Sequence, residues 1–190
     1  MKYFTTSRNS YGFTIIETLI VIALSASMMG ALSLLIYSFN SSYSYGQLSS
    51  ISAMSIRSVM NEVELLTLSA SNVLQSHTFQ STTYTSSSNV LVLEIPSIDS
   101  YGNIISNTYD YAVFYVDGTY AYRILEANTT SKRITGTKQL SDTISSLVFS
   151  YNNSDFTLVD TVTVDVQTTV HYKEQTSVDN RHEQMYLRNF

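Results

Sequence analysis

The sequence predicts an α+β fold in which a long N-terminal helix packs on an antiparallel β-sheet head. From Phe13 to Phe39 the chain is apolar or small with Glu17 as its sole side chain charged at neutral pH, and apolar residues then recur at three- and four-residue steps. From Val90 onward, short segments rich in Val, Ile, Thr and Tyr alternate between turn signals. A helical stripe and the apolar face of a sheet each need a partner, and one layer of each satisfies both.

The elements follow in chain order. Residues 1–12 form a leader whose only charges are Lys2 and Arg8, and the bias of basic residues to the cytoplasmic side predicts that this end stays inside. The run 13–39, roughly 27 residues, exceeds the roughly 20 needed to cross a bilayer as a helix. Thr14, Thr18, Ser25, Ser27, Ser33 and Ser38 carry small hydroxyls able to bond back to helix carbonyls, so none forbids insertion. Glu17 is different, because a carboxylate in hydrocarbon costs about 2.5 to 3.5 kcal/mol and needs a partner. A cut between Gly12 and Phe13 would supply one: the new α-amine would lie one helical turn from Glu17, in the same chain or across to a neighbour.

Residues 40–68 continue the helix beneath the head, with Leu48, Ile51, Ser55, Val59, Val63 and Leu66 on the apolar side and Arg57, Glu62 and Glu64 solvated. The cluster from Asn40 to Tyr45, followed by Gly46, predicts a loosened or bent turn. Residues 69–190 form the head. Ser69 to Asn89 reads as a Ser/Thr-rich loop, and strands are predicted at Val90–Ile95 (ended by Pro96), Tyr109–Val116, Tyr120–Leu125 after an Asp117-Gly118 turn, Lys132–Leu140, Ile144–Tyr151, Asp160–Tyr172 and Glu183–Leu187. Val162, Val164, Val166 and Thr168 fall on one face of the sixth.

Composition excludes several classes of function. There is no cysteine, hence no disulfide framework or thiolate chemistry, and the formal charge of −5 gives no basic footprint for nucleic acid. His77, His171 and His182 are dispersed, with no HExxH and no GxSxG, and the six glycines never cluster into a phosphate loop. No enzyme and no cofactor is expected. Oxygen ligands for calcium are conceivable at Asp155, Asp160 and Asp165, although they read as two turn residues and one outward strand residue. Tyr111, Tyr115, Tyr120 and Tyr122 read as cross-strand pairs, with a ligand-stacking stripe as the alternative.

Two ordinary readings of the N-terminus compete with a leader cut after Gly12. A secretory signal peptide cleaved near Ala23-Leu24-Ser25-Ala26 would have its apolar stretch before the cut, whereas this one continues far beyond. A plain signal anchor leaves the Gly-Phe-Thr sequence unexplained.

Gly12-Phe13-Thr14-Ile15-Ile16-Glu17-Thr18-Leu19-Ile20-Val21 resembles the N-terminal signature of type IV pilins and type II secretion pseudopilins. The resemblance implies a type IV pilin-like fold. It implies leader cleavage between Gly12 and Phe13 by a prepilin peptidase, N-methylation of Phe13, and a role for Glu17 in assembly. It further implies a minor pilin or pseudopilin that is single-pass in the cytoplasmic (inner) membrane with its head outside, then enters a cell-surface or periplasmic filament. The implied partners are other pilin subunits, the peptidase, the membrane and the membrane platform of the assembly machinery. The ending Tyr186-Leu187-Arg188-Asn189 resembles that of J-type minor pseudopilins. Leu34 stands where many major pilins have a kinking proline, and the terminal cysteine pair of many pilins is missing. The rival from another class is a membrane-anchored binding module, an adhesin or a DNA receptor.

Overall fold

A computed structural model describes residues 12–172 and 175–188. Lys2 and Arg8 of the leader, and Asn189 of the C-terminal motif, lie outside the described residues. One long helix, α1 (Ile15–Thr67), is followed by antiparallel sheets, an α+β architecture of the type IV pilin kind. The described residues divide into two compact units, the first ending at Ser44 and the second beginning at Tyr45.

In the first unit the apolar side chains of α1 are exposed: Ile16 is 69%, Leu24 61% and Phe39 68% accessible. The helix is long and apolar enough to cross a membrane. Its hydroxyls behave as expected, with Thr18 Oγ1 donating to Ile15 O (2.8 Å), Ser27 to Ala23 O (2.9 Å) and Ser33 to Met29 O (2.9 Å). The Asn40–Tyr45 cluster and Gly46 do not interrupt α1, whose helical pattern runs unbroken to Thr67.

The second unit is built on the C-terminal part of α1. Its buried stripe is Leu48, Ser52, Ile56, Val59, Met60, Val63, Leu66 and Thr67. This corrects two expected positions: Ile51 is 47% exposed and Ser55 is half-buried. Both series average the helical repeat of about 3.6, so periodicity does not separate them; Ser52 bonds buried Thr168 and Ile56 joins the main core, and these contacts select positions 52 and 56.

Among the described residues ten strands follow: β1 (Asn72–Val73), β2 (Ser76–Phe79), β3 (Thr82–Thr85), β4 (Val90–Ile98), β5 (Ile104–Asp117), β6 (Tyr120–Glu126), β7 (Gly136–Ser141), β8 (Ile144–Tyr151), β9 (Thr161–Tyr172) and β10 (Gln175–Tyr186). They make a five-stranded sheet β1-β4-β5-β6-β7, a three-stranded sheet β10-β9-β8 and the hairpin β2-β3, all antiparallel. The main core joins the α1 stripe to Leu91, Leu93 and Ile95 of β4, Phe114 of β5, Phe149 of β8 and Val162, Val164 and Val166 of β9. The opposite face of β4 and β5 forms a smaller core around Val92, Val113 and Phe79. Burial on both faces explains the continuous apolar run of β4, since an alternating pattern suits a strand with one wet face.

Several expected boundaries move. The loop expected from Ser69 to Asn89 contains β1 and the β2-β3 hairpin, which places Phe79 over the smaller core. Its turn uses Gln80 at φ 55, without the Asn-Gly or Asp-Gly pair that would announce it. Pro96 does not end β4 but lies within it, opposite Tyr109, with a register shift before Ile98. Because β1 covers β4 only at Leu93 and Glu94, Pro96 sits where that edge is unpaired and its missing N–H costs no ladder bond. The β5-β6 turn centres on Gly118-Thr119 rather than Asp117-Gly118, since Asp117 already pairs with Tyr120, and Gly118 takes φ 62. β5 begins at Ile104 rather than Tyr109, and β7 begins at Gly136 rather than Lys132.

β10 is much longer than the expected Glu183–Leu187 segment. Asp179, Arg181 and Glu183 share a strand face with the buried Ser177 and Met185, so the apolar alternation that would reveal a strand is broken by charge. Charges on the inward face of an edge strand discourage pairing with another chain.

Two ion-pair clusters tie the second unit together. Glu62, expected to be solvated, is 15% exposed and accepts from Arg123 of β6 (2.5 Å) and Lys138 of β7 (2.7 Å). Asp110 of β5 is fully buried and accepts from Ser97 (2.8 Å), the Asn128 amide (2.8 Å), Ser131 (2.7 Å) and Arg133 (2.7 Å), which fixes the loop 127–135. Burial alone would raise the Asp110 pKa, but the donors led by Arg133 outweigh it and hold the carboxyl below its ordinary value.

A carboxyl with a depressed folded pKa stabilises the fold above its unfolded value of about 3.9 and loses that contribution as pH falls through the folded value. Asp110→Ala is therefore expected to destabilise the protein by about 3 to 5 kcal/mol at pH 7, because it removes the buried acceptor of the half-buried Arg133 and of Ser97, Ser131 and the Asn128 amide. The gap between wild type and variant should narrow below about pH 4 in denaturant titrations.

Candidate functional site

The N-terminal junction is built by the residues that start α1. Thr14 precedes the first helical residue, Ile15, and Glu17 is the third residue of the helix. The Thr14 amide donates to Glu17 Oε2 (2.8 Å), the Thr14 hydroxyl donates to the same oxygen (2.9 Å), and the Glu17 amide donates to Thr14 Oγ1 (3.3 Å). This is a reciprocal capping box, in which side chains satisfy amides that the first turn leaves without helical acceptors.

Sequence reasoning identified Glu17 and missed Thr14 as its partner. The signal was the spacing Thr-x-x-Glu ahead of an apolar run. Glu17 thus has two donors within its own chain, and it lies at the positive end of the helix dipole, where a carboxylate is stabilised. The arrangement holds one anion, with its charge directed at the backbone of residue 14, one residue from Phe13.

Phe13 is 80% exposed and Gly12 is exposed. A Cβ built on Gly12 meets nothing within 4 Å, and its φ lies outside the left-handed region, so neither packing nor backbone geometry within the chain calls for glycine there. Gly118, by contrast, is held at φ 62 by its hairpin turn.

The other candidates are dispersed over the head. Tyr111 stacks on His77 (3.9 Å between centroids), Tyr115 meets Tyr84 (5.1 Å) and its cross-strand partner Tyr122 (5.5 Å), and Tyr120 lies 6.2 Å from Tyr122. Of these, Tyr115–Tyr122 is the expected cross-strand pair, whereas Tyr111 and Tyr120 stand opposite Glu126 and Asp117 in the β5-β6 ladder and make their ring contacts elsewhere. Burial, with a hydrogen bond to Tyr84, pushes the Tyr115 phenol up to about 12. His77 pairs with Glu126 (3.2 Å), His171 with Thr176 (2.8 Å) and His182 with Asp165 (2.6 Å), three separate places. Asp155 caps a 3₁₀ turn (Phe156–Leu158), and Asp160 bonds Asn152 and Thr161. Among the described residues no group of three or more His, Cys, Asp or Glu could hold a metal.

The fold and this junction define a subunit with a capped, exposed apolar N-terminal helix carrying an antiparallel β head. Residues 7–33 match the family model described as the prokaryotic N-terminal methylation motif, which supports the type IV pilin and pseudopilin family. No curated protein and no solved structure gives a match. The motif points to a structural subunit, and it implies processing by a prepilin peptidase and assembly with other pilins. Motif and apolar helix together are consistent with a membrane-anchored pilin.

Thr14→Ala is expected to fray the first turn of α1 by about 1 kcal/mol, whereas Thr14→Ser should retain the cap. Hydrogen exchange at the amides of residues 14–17 in detergent micelles measures this; equal exchange in wild type and Thr14→Ala would contradict it.

Proposed function

We propose that this chain is a minor pilin or pseudopilin, a filament subunit matured by removal of leader 1–12. The single observation that carries the reading is the methylation motif at 7–33, which takes in the start of an apolar helix whose side chains there are exposed. Gly12 would be the recognition residue at the cut, which accounts for a glycine that the fold does not require. Phe13 would become the methylated N-terminus. Residues 13–39 would span the cytoplasmic membrane before assembly, residues 40–68 would continue the helix, and the head would face outward.

Glu17 would be the assembly carboxylate. Its bonds to Thr14 supply a partner while the subunit is alone in the bilayer, where an unpaired carboxylate costs about 2.5 to 3.5 kcal/mol. Cleavage would then create an ammonium beside it, or beside the Glu17 of a neighbour displaced by about one turn. A charged amine is a stronger partner for a carboxylate than neutral donors are, so assembly would draw Glu17 into that pair.

Mass spectrometry of the mature protein is expected to find an N-terminus at methylated Phe13. A start after Ala26, or an intact leader in cells holding the peptidase, would overturn the reading. Replacement of Gly12 by a bulky residue should leave the leader attached.

Glu17→Ala is expected to insert and be processed while its share in sheared filaments falls relative to membranes at equal expression. Undiminished incorporation would remove the assembly role.

A further inference from the structure

The chain contains three Asn-x-Ser/Thr acceptor sequences, at Asn40, Asn128 and Asn152. Such a triplet marks a possible carrier of an N-linked glycan and is by itself a weak signal. The structure separates the three. Asn40 lies inside α1, where the regular backbone keeps residues 40–42 from looping into a turn. Asn152 Nδ2, the nitrogen that would be glycosylated, donates to Asp160 Oδ1 at 2.6 Å, while its Oδ1 accepts from the amides of Asp160 and Thr161.

Asn128 differs on each count. It sits in the loop 127–135 between β6 and β7, half-buried, with Thr129 and Thr130 exposed. Its Oδ1 accepts from the Thr130 amide (3.1 Å) and the Thr130 hydroxyl (2.9 Å), which folds the triplet into a turn with the hydroxyl against the amide. Among the described hydrogen bonds Nδ2 makes none. Two residues earlier stands Glu126, whose side chain is 44% exposed and pairs with His77 (3.2 Å), where the other two triplets have Ser38 and Ser150. The buried Asp110 holds the Asn128 amide and fixes the turn in place.

We propose that Asn128 is an N-glycosylation site, taking an oligosaccharide from a lipid diphosphate donor. In the transfer, Asn128 Nδ2 attacks the anomeric carbon and forms the N-glycosidic bond. The bond from that carbon to the diphosphate oxygen breaks, the polyprenyl diphosphate leaves, and one Nδ2 proton passes to a base of the transferase. Thr130 positions the amide and Glu126 is the recognition handle. In cells the reaction requires the head to face the donor, which rests on the topology proposed above; a detergent assay does not.

The test incubates the full-length chain in micelles with a lipid-linked oligosaccharide and a prokaryotic oligosaccharyltransferase that modifies a control acceptor peptide. The tryptic peptide 124–132 is then read by mass spectrometry. The expected result is the glycan mass on this peptide, lost in Asn128→Gln and Thr130→Ala, retained in Thr130→Ser and diminished in Glu126→Gln. Peptides carrying Asn40 and Asn152 should stay unmodified. An unmodified 124–132 peptide from the wild-type chain, or modification of Asn152 in its place, overturns the assignment. Thermal unfolding of each variant distinguishes loss of the acceptor from loss of the fold.

Discussion

Among the described residues, the N-terminal part of the long apolar helix is exposed. Covering a large aliphatic side chain gains about 1.5 to 3 kcal/mol, so a run of exposed Ile, Leu, Val, Met and Phe demands an external apolar environment. That demand dictates the local chemistry. The hydroxyls of Thr18, Ser27 and Ser33 turn back onto carbonyls of the preceding turn. The one carboxylate sits where the helix can satisfy it, three residues after a threonine cap.

The same helix changes role once it enters the second unit. From Leu48 onward every buried position lies along one stripe against the sheets, and the polar contacts at its margins are specific: Ser52 bonds Thr168 inside the core, Ser55 accepts from Thr143, and Glu62 gathers Arg123 and Lys138. The head adds a second core on the far face of β4 and β5, closed by the β2-β3 hairpin, and a buried carboxylate at Asp110 that orders a loop with no secondary structure. Packing explains only part of the Tyr-rich composition, since Tyr37, Tyr43, Tyr101 and Tyr186 are exposed. Tyr111 and Tyr115 are partly covered by that hairpin and paired with His77, Tyr84 and Tyr122.

Legibility varied with the strength of local pattern. The helix and β8 and β9 were readable because long periodic runs leave one solution: Val162, Val164 and Val166 are all buried on one face as their alternation requires. The β2-β3 hairpin was not, because its strands hold four residues each, mostly Ser, Thr and polar groups, and its turn employs Gln80 in place of glycine or asparagine. β10 was hidden by charges on its inward face. At the junction, Gly12, Phe13 and Glu17 stood out as a motif, whereas Thr14 looked like one more small polar residue until its bonds were seen.

The sequence by itself determined the apolar run 13–39, its single carboxylate and the order of helix before sheet, because these rest on composition and periodicity along a continuous stretch of chain. Only the tertiary structure decided which polar groups become partners. Glu62 meets Arg123 and Lys138 from strands sixty or more residues away, and Asp110 meets Asn128, Ser131 and Arg133 across a turn of sheet. Such pairings depend on register and crossing geometry, and no local pattern encodes them, since a charged residue beside a helix stripe reads as solvated until another strand is folded over it.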